Sequence, residues 1–180
     1  MNEHNSDTKL QDKVNFINDV SNLLKDSISE FRDRLKQKVA STAQDIFLHV
    51  RNQVEFDGLS INDNYGLQML RYGEVVDMRS SGYEEVVAVS LIGALHKNSP
   101  LDAPVFMDSF FGKLDPEHKR KVVKELMNIT NQALIFVYSH EIDPIKTRED
   151  LNGDFELREL HIVQESAYNS ILAKGGFTNE

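Results

Sequence analysis

The chain has 180 residues, of which 40% are hydrophobic, and its formal net charge at pH 7 is −9. This length accommodates one domain with a hydrophobic core and an appendage, and the composition excludes wholesale disorder. The acidic balance argues against broad, nonspecific attraction to nucleic acid by the chain alone. The absence of cysteine excludes disulfides and thiolate metal sites and fits a reducing cytoplasm.

The sequence also contains no run of about 18 apolar residues, which is the minimum for a membrane-spanning helix. Its first seven residues contain no apolar signal region. We therefore expect no membrane contact and a cytoplasmic location.

The first third of the chain is predicted to form one long helix, from about residue 9 to about residue 55. No glycine precedes Gly58 and no proline precedes Pro100. The apolar spacing alternates between four and three residues, which is typical of the a and d positions of a coiled coil, with one polar interruption. These positions are Leu10, Val14, Ile17, Ser21, Leu24, Ile28, Phe31 and Leu35.

One coiled-coil strand cannot bury its own apolar seam, so we expect a second strand from elsewhere and an oligomer. The alternative is a long amphipathic helix that packs on its own domain. After Leu35 the apolar spacing takes two consecutive steps of four, at Val39 and Ala43, before Ile46 and Val50. Such a phase shift predicts the point where a coiled coil merges with a globular base. We divide the chain into an arm helix, 1–57, and a lobe, 58–180.

The lobe is predicted to contain short, alternating elements of α/β type. Asn, Asp and Gly turns separate three short strands, and an apolar strand over 133–139 is suited to the middle of a sheet covered on both faces. The order of elements predicts a small, mainly parallel sheet with flanking helices. The predicted strands are 59–63, 65–72, 74–78, 105–108, 133–139 and 155–163, and the predicted helices are 84–97 and 116–130.

Four short motifs follow one another in this lobe. They are Ser80-Ser81-Gly82-Tyr83 before a helix, Val105-Phe-Met-Asp108 at the end of a strand, Gly112-Lys-Leu-Asp115 in a loop, and His140 after a strand. Their order and spacing resemble the signature motif, Walker B, D-loop and switch histidine of the C-terminal lobe of an SMC-like ABC ATPase head. The run from Asp108 to Lys119 is similar to that of the DNA-sulfur-modification ATPases, the DndD family.

The resemblance implies a role for each of these residues. Ser80, with Ser81, Gly82 and Tyr83, would contact the γ-phosphate of ATP held by an opposing subunit, at a helix N-terminus that attracts anions. The alternative for Ser80 is an ordinary helix N-cap. Arg79 and Tyr83 depart from the usual signature residues, which puts the strength of nucleotide contact in doubt.

The resemblance assigns the other motifs to metal binding and hydrolysis. Asp108 would orient water on the Mg²⁺ that accompanies ATP, with a strand-terminal turn residue as the alternative. Ser109 occupies the place of the usual catalytic glutamate and is a poor base at neutral pH, so we expect slow hydrolysis or a base from elsewhere. Asp115 would link two composite sites and cap the next helix. His140 would sense the γ-phosphate, with an ordinary exposed histidine at a strand end as the alternative. The densest basic patch consists of His118, the run 119–121 and Lys124. It is expected on a solvated helix face, with a DNA-backbone contact as the alternative.

No G-x-x-x-x-G-K-[ST] loop occurs in the sequence. The chain is therefore interpreted as half of an ATP site that requires a Walker A-containing lobe or subunit. The assembled complex would act on DNA in repair, modification or defence. The alternative is a non-catalytic pseudo-ATPase scaffold that acts through its coiled coil.

Overall fold

A computed structural model of the protein describes residues 3–76, 81–138, 140–151 and 156–174. Its first element is the helix α1, Glu3–Val50, of 48 residues. At the standard helical rise this is about 70 Å long, so the predicted arm helix is confirmed. None of the described helices combines the length and the apolar character needed to span a bilayer.

In the described ranges ten further elements follow α1, and they confirm the α/β fold class. Pro144–Asp150 and Asn169–Lys174 are elements that the sequence did not predict. The ten are β1 (Phe56–Ile61), β2 (Leu67–Arg71), β3 (Glu74–Val76), α2 (Ser81–Asn98), β4 (Val105–Asp108), α3 (Pro116–Ile129), β5 (Ala133–Phe136), α4 (Pro144–Asp150), β6 (Leu160–Ser166) and β7 (Asn169–Lys174).

The C-terminal part of α1 forms the centre of the hydrophobic core. Its buried residues lie on one face and pack with α2, α3 and β1 in the same hydrophobic core. The sequence position of this buried face confirms that the arm merges with a globular base where the apolar spacing shifts after Leu35. The core residues of α1 are Val39, Ala43, Ile46, Phe47 and Val50.

The first sheet is an antiparallel meander in the order β1-β2-β3. Tyr72 and Gly73 join β2 to β3 with φ angles of 52° and 79°. Positive φ at both central residues is the backbone of a type I′ hairpin turn, which matches the right-handed twist of the strands. Asp57 of β1 accepts a hydrogen bond from the Gly73 N–H at 2.8 Å, which ties the turn to the far strand.

The second sheet is the parallel pair of β4 and β5, with Val105 opposite Ala133 and Asp108 opposite Phe136. Val105 and Met107 are buried on one face, whereas Phe106 and Phe136 on the other face are 63% and 46% exposed. The prediction that β5 lies in a sheet covered on both faces is therefore wrong for the described residues. Its apolar sequence reflects a second face that nothing in the described part of the chain covers.

The last sheet is an antiparallel hairpin of β6 and β7. The strand predicted over 155–163 begins later, at Leu160, and every residue of β6 is exposed rather than half-exposed. Its alternating pattern produces two solvent-facing sides because the neighbour of β6 is β7 and not the parallel sheet.

We predict that Phe47→Ala lowers the free energy of unfolding by about 3–5 kcal/mol, because it leaves a cavity in the core. Phe47 is fully buried. Phe31→Ala on the same helix is the matched control, since Phe31 is 67% exposed. It should change stability by less than about 0.5 kcal/mol. Urea unfolding followed by tyrosine near-ultraviolet circular dichroism measures both changes, and equal effects would contradict the core assignment.

Candidate functional site

The start of α2 carries part of the predicted signature motif. Ser80, with residues 77–79, lies outside the described residues. Ser81 is the first residue of α2 and is exposed, and Gly82 follows it half-buried. Ser81 thus presents a hydroxyl near the N-terminus of the helix, where the backbone N–H groups and the helix dipole favour anions. A phosphate contact at Ser80, Ser81 and Gly82 stays a prediction.

Tyr83 points into the core. It is 6% exposed, and its ring centroid lies 4.6 Å from that of Phe56 and 6.4 Å from that of Phe47. Its hydroxyl oxygen accepts a hydrogen bond from the Gln53 N–H at 3.1 Å. Burial raises the pKa of Tyr83, so the phenol stays protonated. The aromatic residue in the signature position thus joins α2 to the segment just after the arm helix, and a contact with nucleotide remains untested.

Asp108 and Ser109 lie together at the carboxyl end of β4. Both are exposed, and the Ser109 hydroxyl donates to the Asp108 carboxylate at 3.2 Å. Ser109 has a φ of 47°, and its N–H donates to the Phe136 carbonyl at 2.9 Å. A positive φ is uncommon for a residue with a side chain, and such residues concentrate at functional sites. The chain therefore turns sharply after Asp108 and leaves its carboxylate accessible.

Asp108 offers one exposed carboxylate, with the Ser109 hydroxyl beside it, which is a part of what a magnesium site needs. Mg²⁺ prefers oxygen ligands, and at phosphate sites it uses one or two carboxylates together with phosphate oxygens and water. The described residues contain no cluster of three or more His, Asp or Glu side chains that could hold a metal ion by themselves. A metal at Asp108 would therefore depend on ligands from ATP and from another lobe.

The loop 109–115 connects β4 to α3 and is anchored at both ends. Phe111 and Leu114 are buried in the core. Asp115 caps α3 as predicted: its Oδ1 accepts from the N–H groups of Glu117 at 2.9 Å and His118 at 3.0 Å. Burial alone would raise the pKa of Asp115, but hydrogen bonds from His118 and Glu117 outweigh it and hold the pKa below its ordinary value. Asp115 is thus a carboxylate at neutral pH.

His118 is buried, so the expectation that it lies on a solvated helix face is wrong. It is 6% exposed, and its Nδ1 faces the second Asp115 oxygen and the Asn52 amide, the latter at 3.0 Å. The imidazole edge packs on the Tyr83 ring with centroids 5.6 Å apart, while the buried Nε2 has no hydrogen-bond partner among the described residues. The basic run misled the prediction because α3 is amphipathic and position 118 falls on its buried face.

His140 lies in a short loop between Tyr138 and Glu141. Its imidazole is exposed and stacks on the Tyr138 ring with centroids 5.9 Å apart. The next residue, Glu141, was missed by the motif comparison: it is 5% exposed and its carboxylate accepts from the Tyr138 N–H at 2.9 Å. The position of Glu141 directly after His140 in the sequence is the signal that could have identified it. Lys119 donates to the Glu141 carbonyl at 2.7 Å, which fastens this loop to α3.

The loop around Gly112 lies beside this carboxylate. A Cβ added at Gly112 would stand 3.0 Å from Glu141 Oε1, so a side chain there would press on the carboxylate. Burial raises the pKa of Glu85, Lys113 lowers it and Glu141 raises it again, with a net rise. Glu141 therefore connects the histidine loop with the loop 109–115 and, electrostatically, with α2.

The end of the arm helix is fixed to the same group of residues. The Lys121 ammonium donates to the Arg51 carbonyl at 2.9 Å and to the Asn52 side-chain oxygen at 2.7 Å. A cation at this end also interacts favourably with the helix dipole. These two hydrogen bonds from Lys121, with the hydrogen bond from the Gln53 N–H to Tyr83, explain why α1 ends at Val50 and not at the expected residue 55.

Comparisons with solved structures agree with this geometry. The SMC ATPases of a study on ATP-driven dimerization and DNA-stimulated activation give a TM-score of 0.57 at 14% identity, over 82% of this chain and 89% of that one. An Smc head with a coiled coil and joint from Pyrococcus yayanosii gives 0.61 at 13% identity, over 93% of this chain. The chain has the fold of an SMC ATPase head.

A further Smc head, bound to the C-winged helix domain of ScpA, matches with a TM-score of 0.56 at 12% identity, over 78% of this chain. This chain spans 44% of that protein and 32% of the Pyrococcus chain. The sequence matches no protein-family model and no curated protein. The likeness shows a shared fold, the C-terminal lobe of the head with its arm helix, and a particular DNA-sulfur-modification relationship is not part of it.

We predict that Asp115→Ala lowers the free energy of unfolding by about 1–2 kcal/mol, because α3 loses its N-cap. Asp115→Asn should cost less, since asparagine caps equally well and only the contact of the carboxylate with His118 Nδ1 is altered. Asp143→Asn is the matched control, because Asp143 caps α4 through the N–H groups of Ile145 and Lys146. Urea unfolding ranks the three variants, and a larger loss for Asp143→Asn than for Asp115→Asn would contradict the role of His118.

The stabilisation by ionised Asp115 should also depend on pH. Because its folded-state pKa lies below the ordinary value of 3.8, the contribution is complete above that value and is lost as the pH falls through the folded-state pKa. The difference in unfolding free energy between the wild-type chain and Asp115→Asn should therefore narrow below about pH 4. A difference that widens on acidification would show that the carboxylate is not the favoured form.

Proposed function

We propose that the chain is the C-terminal half of an SMC-like ATPase head and completes a composite ATP site in trans. The observation that carries this proposal is the exposed Asp108 carboxylate at the end of a parallel strand, directly before the sharp turn at Ser109. In the fold of an SMC ATPase head, this is where a carboxylate would act as the Walker B acid. Bound Mg²⁺ would neutralise charge on the phosphates, and Asp108 would orient its water.

The exposed surface next to Asp108 supports the proposal that a Walker A-containing lobe binds there. Phe106 and Phe136 are exposed on the uncovered face of β4 and β5, and Tyr138 just beyond is 64% exposed. Exposed apolar patches of this kind commonly mark interaction sites. A Walker A-containing lobe that covers this face would bury the aromatic residues and bring a phosphate-binding loop to Asp108. The lobe comes from a separate subunit or from a longer protein that contains this chain.

The remaining motif residues are assigned to the same cycle. Ser80, Ser81 and Gly82 would face the γ-phosphate of the opposing subunit, and His140 would respond to its loss. Asp115 would couple the two sites while it caps α3. A second coiled-coil strand would pair with α1, and the assembled, oligomeric complex would contact DNA in repair, modification or defence. We propose a DNA-sulfur-modification type of machine and a cytoplasmic location, without a membrane contact.

A non-catalytic scaffold is the second candidate function. The geometry of Ser109 favours it, since this residue stands where a glutamate base would act and its hydroxyl donates to Asp108. A serine hydroxyl is a poor base at neutral pH. In this case the site would not hydrolyse ATP, whether or not nucleotide is bound, and the protein would bind its partners through the arm helix.

We predict that the chain alone binds ATP negligibly, because it lacks a phosphate-cradling loop and its lysine. Calorimetry with the purified chain, Mg²⁺ and ATP measures this directly. Micromolar affinity would overturn the half-site proposal, since Asp108 alone would offer only a metal-side contact and Ser81 would face the ATP of the opposing subunit.

The decisive test combines the chain with its Walker A counterpart, in trans or within the longer protein. Asp108→Asn should lower Mg²⁺-dependent turnover at least about tenfold, because the metal's water loses its anionic orienting group. Ser80→Arg should block ATP-dependent assembly. Asp143→Asn is the control for Asp108→Asn, because Asp143 is a carboxylate that caps α4.

Ser109→Glu should raise turnover if Ser109 stands in place of a lost base. Unchanged assembly and turnover in Asp108→Asn and Ser80→Arg would leave the scaffold function.

A further inference from the structure

The charges on the arm helix are sorted by face. With Val14 and Ile17 at positions a and d, the heptads between residues 10 and 35 place Asp12, Asp19, Asp26 and Asp33 at position f, opposite the seam. Positions e and g, which flank the seam, contain four cations, no anion and four uncharged residues. The flanking residues are Gln11, Lys13, Asn18, Val20, Lys25, Ser27, Arg32 and Arg34.

This charged and apolar surface is exposed in the structure. Ile28 and Phe31 of the seam are 66% and 67% exposed, and the flanking cations Lys25 and Arg32 are exposed beside them. Arg34 pairs with Glu30 on its own helix, at position c, and both groups face solvent. The aspartates at f lie on the face away from the seam, about 100° around the helix from the flanking cations. Among the described residues no ion pair joins them to those cations, and the one ion pair of a flanking cation is that of Arg34 with Glu30.

In a pair of two identical arms, the cations at positions e and g of one helix would find no carboxylate at positions e and g of the other. In a parallel pair position g faces e of the partner, and in an antiparallel pair e faces e and g faces g. Either orientation sets cations against cations or neutral residues, never against a carboxylate. Like charges at such positions oppose association and select against the wrong partner.

We propose that the arm seam binds a different helix, whose own apolar seam is flanked by Glu or Asp, and that it rejects a second copy of itself. The proposal rests on the arm pairing stated under the proposed function and adds the chemistry of the partner. It is independent of ATP binding. Val20 at position g, with Phe16 and Leu23 next to it, widens the apolar strip and calls for apolar residues at the matching point of the partner.

The test uses the full chain and two designed helical peptides of about four heptads, with Ile at a and Leu at d. One peptide has Glu at every e and g position, and the other has Lys. In fluorescence anisotropy at low ionic strength, the chain should bind the Glu peptide at least about tenfold more tightly than the Lys peptide. The difference should shrink in high salt, which screens exposed charges.

Variants of the chain distinguish the effect of the arm cations on peptide binding from the effect of the net charge. Lys25→Glu with Arg32→Glu should abolish or reverse the preference for the Glu peptide. Lys124→Glu with Lys146→Glu changes the net charge equally on exposed sites of α3 and α4 and should retain it. Ile28→Asp with Phe31→Asp should eliminate binding of both peptides. In sedimentation, the wild-type chain should not dimerise through this seam.

Each outcome decides between the proposals. Equal affinity for the two peptides, or self-association that Ile28→Asp with Phe31→Asp removes, overturns the acidic-partner inference and leaves arm pairing intact. Failure to bind either peptide overturns both the inference and the arm pairing. The ATP-site proposal is tested separately by Asp108→Asn.

Discussion

The close crossing of α1, α2 and α3 is the packing constraint on which the other parts of the molecule depend. Gly93 of α2 lies at this crossing, where a Cβ would stand 2.6 Å from Ile129 Cδ1 and 2.8 Å from Ile46 Cδ1. Only a residue without a side chain lets the three helices approach so closely without a shift of neighbours. The base of the arm is thereby part of the core and not an attached appendage.

This packing connects the arm to the candidate site through short contacts. Lys121 of α3 holds the end of α1, Tyr83 of α2 accepts from Gln53, and Asn52 reaches His118. His118 in turn contacts Asp115, which starts α3 and ends the loop after Asp108. A change in the direction of the arm would therefore press on α2 and on the loop 109–115 together. These contacts are partly buried and link the arm to the loop within one packed unit.

Two of the exposed apolar surfaces in the described part of the chain differ in chemistry. The exposed residues on the uncovered face of β4 and β5 are mainly aromatic and lie next to Asp108, whereas the arm seam is mainly aliphatic and is flanked by cations. Apolar burial drives association at both, but charge decides the partner only at the arm. The two surfaces therefore suit two different partner elements, one that completes the sheet and one that completes the coiled coil.

Local patterns in the sequence were sufficient for most elements. The a/d spacing and the missing Gly and Pro predicted α1, and its phase shift located the buried base at Val39 to Val50. Asp115 before Pro116 predicted the start of α3, and the apolar run ending at Asp108 predicted β4, because caps and strand ends depend on neighbouring residues. The motif order gave the head fold.

Contacts between distant residues were decided by the tertiary structure alone. Tyr83 turns into the core because Phe47 and Phe56 from α1 and β1 meet it there. His118 is buried because α3 packs against the end of α1, and Glu141 becomes part of the site because Lys119 and Tyr138 hold its loop. The exposure of one face of β5 could likewise not be predicted from its sequence. An apolar strand has the same pattern whether the element that packs on it belongs to this chain or to another. Sequence spacing records which face of an element is apolar, and only the fold decides what lies against it.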